Sequence, residues 1–299
     1  MPTVRANGID IAYESLGRDG DPAILLIHGL ATPLTGWPDS LANGLIAKGF
    51  RVVRFDNRDI GLSTHLSELG TPDIGAMMAK LSRGEAVVAP YTLDAMAADA
   101  AALLDALGIE KAHIAGASMG GMIAQLVAIR RPDKAKSLVS IMSTSARRGL
   151  PGPDPAAMKA LMALPASPSR EDRLKTAMSA VRAISGPGFV PSDAALAAHV
   201  GRSIDRTPFD PPAAARHLAA VVAAEPRTAQ LAGLKLPALV LHGRDDPIMP
   251  VAHAEDTAKS ILGAKLVVVP GMGHEFSEAL MPIYAREIGA FTEGVETRG

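Results

Sequence analysis

The segment Gly116-Ala117-Ser118-Met119-Gly120 places a serine between two glycines. An apolar run, His113 to Ala115, ends there and an apolar, helically patterned stretch begins. A chain that turns straight from strand to helix strains the corner residue, and only small neighbours two before and two after it relieve the crowding. The serine then projects at a helix N-terminus, where free N–H groups and the positive dipole end favour negative charge. A plain helix N-cap is the other reading of Ser118. The chemistry on offer is nucleophilic. A serine hydroxyl attacks once an imidazole takes its proton, and that imidazole needs a carboxylate to fix its tautomer.

Both partner types follow in the chain. "PALVLHG" leads into Asp245 and Asp246, and "AKLVVVPGMG" leads into His274. Polar residues just past apolar strands lie at the carboxyl edge of an open α/β sheet, where ligands bind. The same filter selects His28-Gly29-Leu30 after "PAILLI". His28 reads as an orienter of its own loop and not as a base, because it precedes the whole unit. Asp245 and Asp246 both have reach, and Pro247 biases Asp246 toward an extended conformation. Arg58, near another strand end, could hold a substrate carboxylate or pair with Asp56 or Asp59. His242, inside a strand, reads as a core residue. The remaining histidines, His65, His113, His199, His217 and His253, show no metal-ligand spacing. The chemistry calls for no cofactor and no metal.

These residues need elements to hold them. "VRANGIDIAYESLG" alternates around Asn7-Gly8 and predicts a hairpin. "PAILLIHG", "FRVVRFDNR", "KAHIAGAS", "AKSLVSIMS", "LPALVLHG" and "AKLVVVPG" predict further strands, with helices over about 38–48, 92–109 and 119–131 between the earlier ones. This alternation implies a parallel sheet with right-handed crossovers. From about 144 to 233 no buried strand is evident, and short helices are expected near 155–164, 170–184, 194–204 and 212–224. The sheet resumes afterwards, with helices expected over 252–261 and to about 292. We therefore expect a core domain of residues 1–143 and 234–299 and an inserted helical cap of residues 144–233. Met158, Met162 and Met178 are spaced to reach the inner face of that cap, where thioethers make an adaptable pocket.

Composition narrows the function. Of 299 residues 48% are hydrophobic and 20% charged, with a formal net charge of -1, so the chain supports a sizeable core and shows no basic stripe for nucleic acid. No apolar run reaches the ~18 residues of a membrane span. There is no cysteine, which removes disulfides and a thiol nucleophile. With no signal-peptide pattern at the start, a cytoplasmic protein is expected. The sequence leaves the oligomeric state open, a homo-oligomer included.

The hairpin together with "LLIHGL", "GASMGG", "LHGRDDPIMP" and "VPGMGH" resembles the α/β-hydrolase fold over nearly the whole chain. "GWPDSLANGLIAKGFRVVRFDNRDIGLST", "DDPIMP" and "VPGMGH" are similar to the aclacinomycin methylesterase branch and its carboxylesterase relatives. The resemblance implies Ser118 as nucleophile, Asp246 as acid and His274 as base. It also implies the backbone N–H groups of Leu30 and Met119 as an oxyanion hole, behind the supporting pair His28-Gly29. The activity expected is hydrolysis of small carboxylic esters, short to medium in chain length. Perhydrolysis or C–C bond hydrolysis on the same residues is the nearest alternative, and a ligand-binding receptor on the same fold is a more distant one.

Overall fold

The computed structural model describes residues 2–298. Eight strands form one sheet: β1 (Thr3–Ala6), β2 (Ile9–Leu16), β3 (Ala23–Ile27), β4 (Arg51–Phe55), β5 (Ala112–Ala117), β6 (Ala135–Ile141), β7 (Ala238–Gly243) and β8 (Lys265–Val269). Their spatial order is β1-β2-β4-β3-β5-β6-β7-β8. The β1–β2 and β2–β4 pairs are antiparallel and all the others are parallel. The hairpin turns at Asn7 and Gly8, both with positive φ, as a two-residue primed turn requires. β3, β5 and β7 are buried along their whole length, so consecutive side chains feed opposite faces of the sheet. Leu25, Ile27 and Ile114 pack on one face with helices α3 (Leu93–Ala106) and α4 (Met119–Arg130). Ile24, Leu26 and Ala115 pack on the other with α1 (Asp39–Ile46) and α11 (Met281–Glu296).

The topology explains the location of the candidate residues. From β3 the chain goes first to β4 on one side and later to β5 on the other, so β3 and β5 flank a switch point. Their register is flush at the carboxyl ends, with Ile27 beside Gly116, and Ile141 of β6 lies beside both Ala117 and Leu241 of β7. The loops that leave β3, β5, β6 and β7 therefore emerge along one edge.

Between β6 and β7 the described residues contain only helices: α5 (Pro155–Leu161), α6 (Arg170–Ile184), α7 (Asp193–Arg206), α8 (Pro211–Val222) and α9 (Thr228–Leu231). Asp154, Ser169, Ser192 and Asp210 cap the first four with their side chains, and Pro155 and Pro211 stand at the first helical positions. Such caps are worth roughly 1 kcal/mol each, which is why helices this polar still start where expected. Two α-helices among the described residues were not anticipated from the pattern. α9 is a single turn. α2 (Ile74–Ser82) is capped by Asp73 and packs on α8, but only Met77 of its apolar residues is buried. The remaining helix, α10 (Ala252–Ser260), follows β7, and α11 runs four residues past its expected end at Thr292.

Candidate active site

Ser118 occupies the corner between β5 and α4 with φ 55° and ψ −122°, a left-handed conformation that costs a non-glycine residue of order 1–3 kcal/mol. The fold holds it there. Its N–H donates to the Ile141 carbonyl at 2.9 Å, and its carbonyl accepts the Ser143 hydroxyl at 2.7 Å. A Cβ on Gly116 would lie 2.0 Å from the Gly120 carbonyl oxygen, and one on Gly120 would lie 2.0 Å from that of Ile27, so neither position admits a side chain. The Ser118 side chain does not cap α4. Its Oγ lies 3.0 Å from His274 Nε2.

The other imidazole nitrogen, Nδ1, lies 2.7 Å from Asp246 Oδ2. Asp246 Oδ1 accepts the backbone N–H groups of Ile248 and Met249 at 2.8 and 2.7 Å. Burial by itself would raise the Asp246 carboxyl, but the charge and hydrogen bond of His274, with the charge of His242 and the Met249 N–H, together hold the group below its ordinary value. An ionised carboxylate only accepts. His274 Nδ1 must therefore carry the proton, which leaves Nε2 free to accept from Ser118 Oγ–H. Asp245 points elsewhere: its Oδ2 accepts the Gly271 N–H at 2.8 Å, which ties down the loop that leads to His274.

Leu30 and Met119 line the cavity in front of Ser118. No group of the described residues accepts the backbone N–H of either. Leu30 precedes Ala31, which has φ 51°, so the loop bends sharply there. His28 Nδ1 accepts the Gly29 N–H at 2.7 Å, and its ring packs against Trp37 and Phe276. Burial, with help from His199 and His274, pushes the His28 pKa down to about 3, so its imidazole is neutral and acts by shape and hydrogen bonding.

The cavity measures about 270 Å³ and its wall is mainly apolar. Six methionines contribute: Met119 and Met122 from α4, Met142 after β6, Met158 and Met162 from α5 and its end, and Met249 after β7. Two of the three methionines expected at the pocket are therefore there, and Met178 is not part of the wall. Two carboxylates, Glu275 and Glu278, also line it. Among the described residues no lysine or arginine does.

Arg58 corrects one expectation. It does not pair with Asp56 or Asp59 but with Asp99 on α3, at 2.6 and 2.7 Å, and it stands outside the cavity wall. Arginines of the inserted helices take the other two aspartates. Arg206 reaches Asp56 at 2.6 Å and Arg216 reaches Asp59 at 2.7 Å, both buried. Sequence spacing carried no sign of this, because 150 residues separate Arg206 from Asp56.

Glu275 was also not singled out. Its carboxylate accepts the Gly186 N–H through both oxygens at 3.2 Å, and the His274 N–H donates to the Ile184 carbonyl at 2.8 Å, so the turn after α6 is bonded to the histidine loop. Burial raises the Glu275 pKa to about 7, the Asp246 charge adds to this, and the N–H groups of Gly186 and Gly273 oppose it. An unfolded glutamate ionises near 4.5, so the folded chain keeps a proton that the unfolded chain has lost. The resulting stability is full below about pH 4.5 and disappears as pH rises through about 7. Glu275→Gln should therefore gain several degrees of Tm over the parent between pH 5 and 8. A Tm difference that stays flat over this range would contradict the shift.

Comparison with known proteins identifies the family of the chain. The family model for the alpha/beta hydrolase fold matches residues 22–278. The chain is 29% identical to the rhodomycin D methylesterase DnrP of Streptomyces peucetius, over 98% of each chain. It is 26% identical to 3-oxoadipate enol-lactonase 2 of Acinetobacter baylyi, over 89% of this chain and 87% of that one. The crystal structure of the enol-lactonase from Burkholderia xenovorans LB400 superposes with a TM-score of 0.70 at 25% identity, covering 98% of this chain and 100% of that one. No helix among the described residues is long and apolar enough to cross a membrane. With the family match spanning every strand from β3 to β8 and all three candidate side chains, the chain belongs to the alpha/beta hydrolase fold family.

Proposed function

We propose that the protein is a serine carboxylesterase that acts on small neutral esters through an acyl-enzyme on Ser118. The observation that carries this is the unbroken line from Ser118 Oγ through His274 to Asp246, at 3.0 and 2.7 Å, beside two unpartnered N–H groups in an apolar cavity. Methylesterase and enol-lactonase relatives support ester cleavage. His274 Nε2 takes the hydroxyl proton as Oγ attacks the ester carbon, and the carbonyl oxygen turns toward the Leu30 and Met119 amides. The proton then passes to the departing alcohol. Water repeats the sequence on the acyl group, and the carboxylic acid leaves. The inserted segment, residues 144–233, serves as a cap that supplies the far wall of the cavity.

The wall also favours esters over C–C cleavage of a dienoate. A substrate carboxylate would face Glu278 and, as pH rises through about 7, an ionised Glu275, and among the described residues no lysine or arginine lines the cavity to meet it. A like charge at cavity distances costs a few kcal/mol in a partly buried site. A hydrogen-succinate monoester should therefore show a kcat/KM at least about 10-fold below that of its neutral methyl-capped analogue. Equal rates would remove the charge argument.

Chain length tests the cavity. Each buried methylene offers at most ~0.8 kcal/mol, about fourfold. A p-nitrophenyl ester series should peak between C2 and C8 with severalfold steps between neighbours. A maximum at C12 or beyond, or activation at an oil–water interface, would mark a lipase instead. No turnover of p-nitrophenyl acetate would leave a binding protein on the hydrolase fold.

A further inference from the structure

His217, on α8 of the inserted segment, is fully buried and makes two hydrogen bonds into the core. Its Nδ1 accepts the Ala31 N–H at 3.2 Å, and its Nε2 donates to the Arg58 carbonyl at 2.6 Å. One neutral imidazole does both, since an accepting Nδ1 requires the proton on Nε2. Burial lowers the pKa of His217 and keeps it in that state. The residue it holds is unusual. Ala31 sits at φ 51°, a region that an alanine occupies only when its surroundings insist, and it directly follows Leu30, whose N–H faces no acceptor among the described residues. The other end of the same loop is tied as well: the Leu34 N–H donates to Asp56 Oδ1 at 2.7 Å, and Arg206 of α7 grips that carboxylate.

We propose that His217 is a positioning residue that fixes the Leu30 N–H for oxyanion binding by pinning Ala31. The inserted segment then shapes the chemical step as well as the pocket wall. The proposal rests on the serine esterase reading above. A preorganised donor acts only if it is already aimed where charge develops, and complete loss of one costs about 100- to 1000-fold in kcat. A donor loosened but still present should cost less.

The test is a set of three variants with kcat, KM and Tm measured on each. His217→Ala should lower kcat by about 10- to 100-fold with KM within about threefold, because the contact matters in the transition state and not in ground-state binding. His217→Asn sets an amide oxygen near the Nδ1 position and restores only the Ala31 bond. His217→Gln reaches the Nε2 position and restores only the Arg58 bond. Asn should recover most of kcat and Gln should not, whatever the order of their Tm values. Equal recovery by both, or a parental kcat in folded His217→Ala, overturns the proposal. If His217→Ala does not fold, the Asn and Gln pair decides alone. A fluorophosphonate assay of the parent separates the two levels. Parent protein that is not labelled on Ser118 defeats the esterase reading. Labelled parent with an unaffected His217 series defeats only the role of His217.

Discussion

Ser118→Ala should lower kcat for p-nitrophenyl acetate by about 10⁴- to 10⁶-fold, to the residue that binding and the N–H groups alone provide. The expectation follows from the corner geometry. Every other hydrogen bond of Ser118 that we describe is made by its backbone, and among the described residues its Oγ hydrogen-bonds only with His274 Nε2, at 3.0 Å. Removing the oxygen deletes the atom proposed to attack and should leave the fold intact, because an alanine can occupy the same strained corner with the same backbone bonds. Tm should stay within a few degrees of the parent. A fluorophosphonate probe should add to the parent once, on Ser118, and not to the variant. A variant that keeps more than one percent of activity, or labelling at another residue, would remove Ser118 as nucleophile.

Asp246→Asn should lower kcat on the order of 10⁴-fold, whereas Asp245→Asn should cost less than 10-fold. The amide that replaces Asp246 Oδ2 can present an N–H to His274 Nδ1. The imidazole then carries its proton on Nε2, where it faces the Ser118 hydroxyl as a donor and cannot take its proton. Asp246 Oδ1 also anchors the turn through the Ile248 and Met249 N–H groups, and the asparagine can keep an acceptor for only one of the two sides. Asp245 acts one step further away, through the Gly271 N–H. Its amide still accepts that bond. The reverse ranking of the two variants would exchange their roles.

The sheet was legible because most of its inner strands are short apolar runs, and the helices between β6 and β7 because short helical stretches there are interrupted by no buried strand; the caps Asp154, Ser169, Ser192 and Asp210, seen in the structure, stand at their starts. Ser118, Asp246 and His274 could be proposed as candidates because each follows an apolar strand, which fixes the edge it reaches; β5 and β7 are fully buried, whereas β8 is buried only at Val269. Choosing Asp246 over Asp245 from the residues was not possible. Both follow β7, and only the loop's path turns one toward His274 and the other toward Gly271. The partners of Asp56, Asp59 and Arg58 were hidden for a different reason. Ion pairs between distant elements leave no periodic trace, and a charged residue at a given helical position reads as solvated until its neighbour is known. His217 stayed hidden in the same way, as one histidine among several with no ligand spacing.

The position of the inserted segment bears on how the proposed site is assembled. β6 and β7 are hydrogen-bonded neighbours, yet residues 142–237 lie between them. Closing a loop of that length costs only slightly more entropy than closing a much shorter one, but contacts so far apart in sequence form slowly. Ser118 emerges before this loop, and Asp246 and His274 emerge after it. A chain that has not yet reached Asp246 and His274 has no base to set beside Ser118, so the serine hydroxyl is there an ordinary alcohol. On the proposed reading it gains its base only when β7 and β8 join the sheet. A nascent or truncated chain that ends before β7 therefore carries the serine motif without a reactive serine.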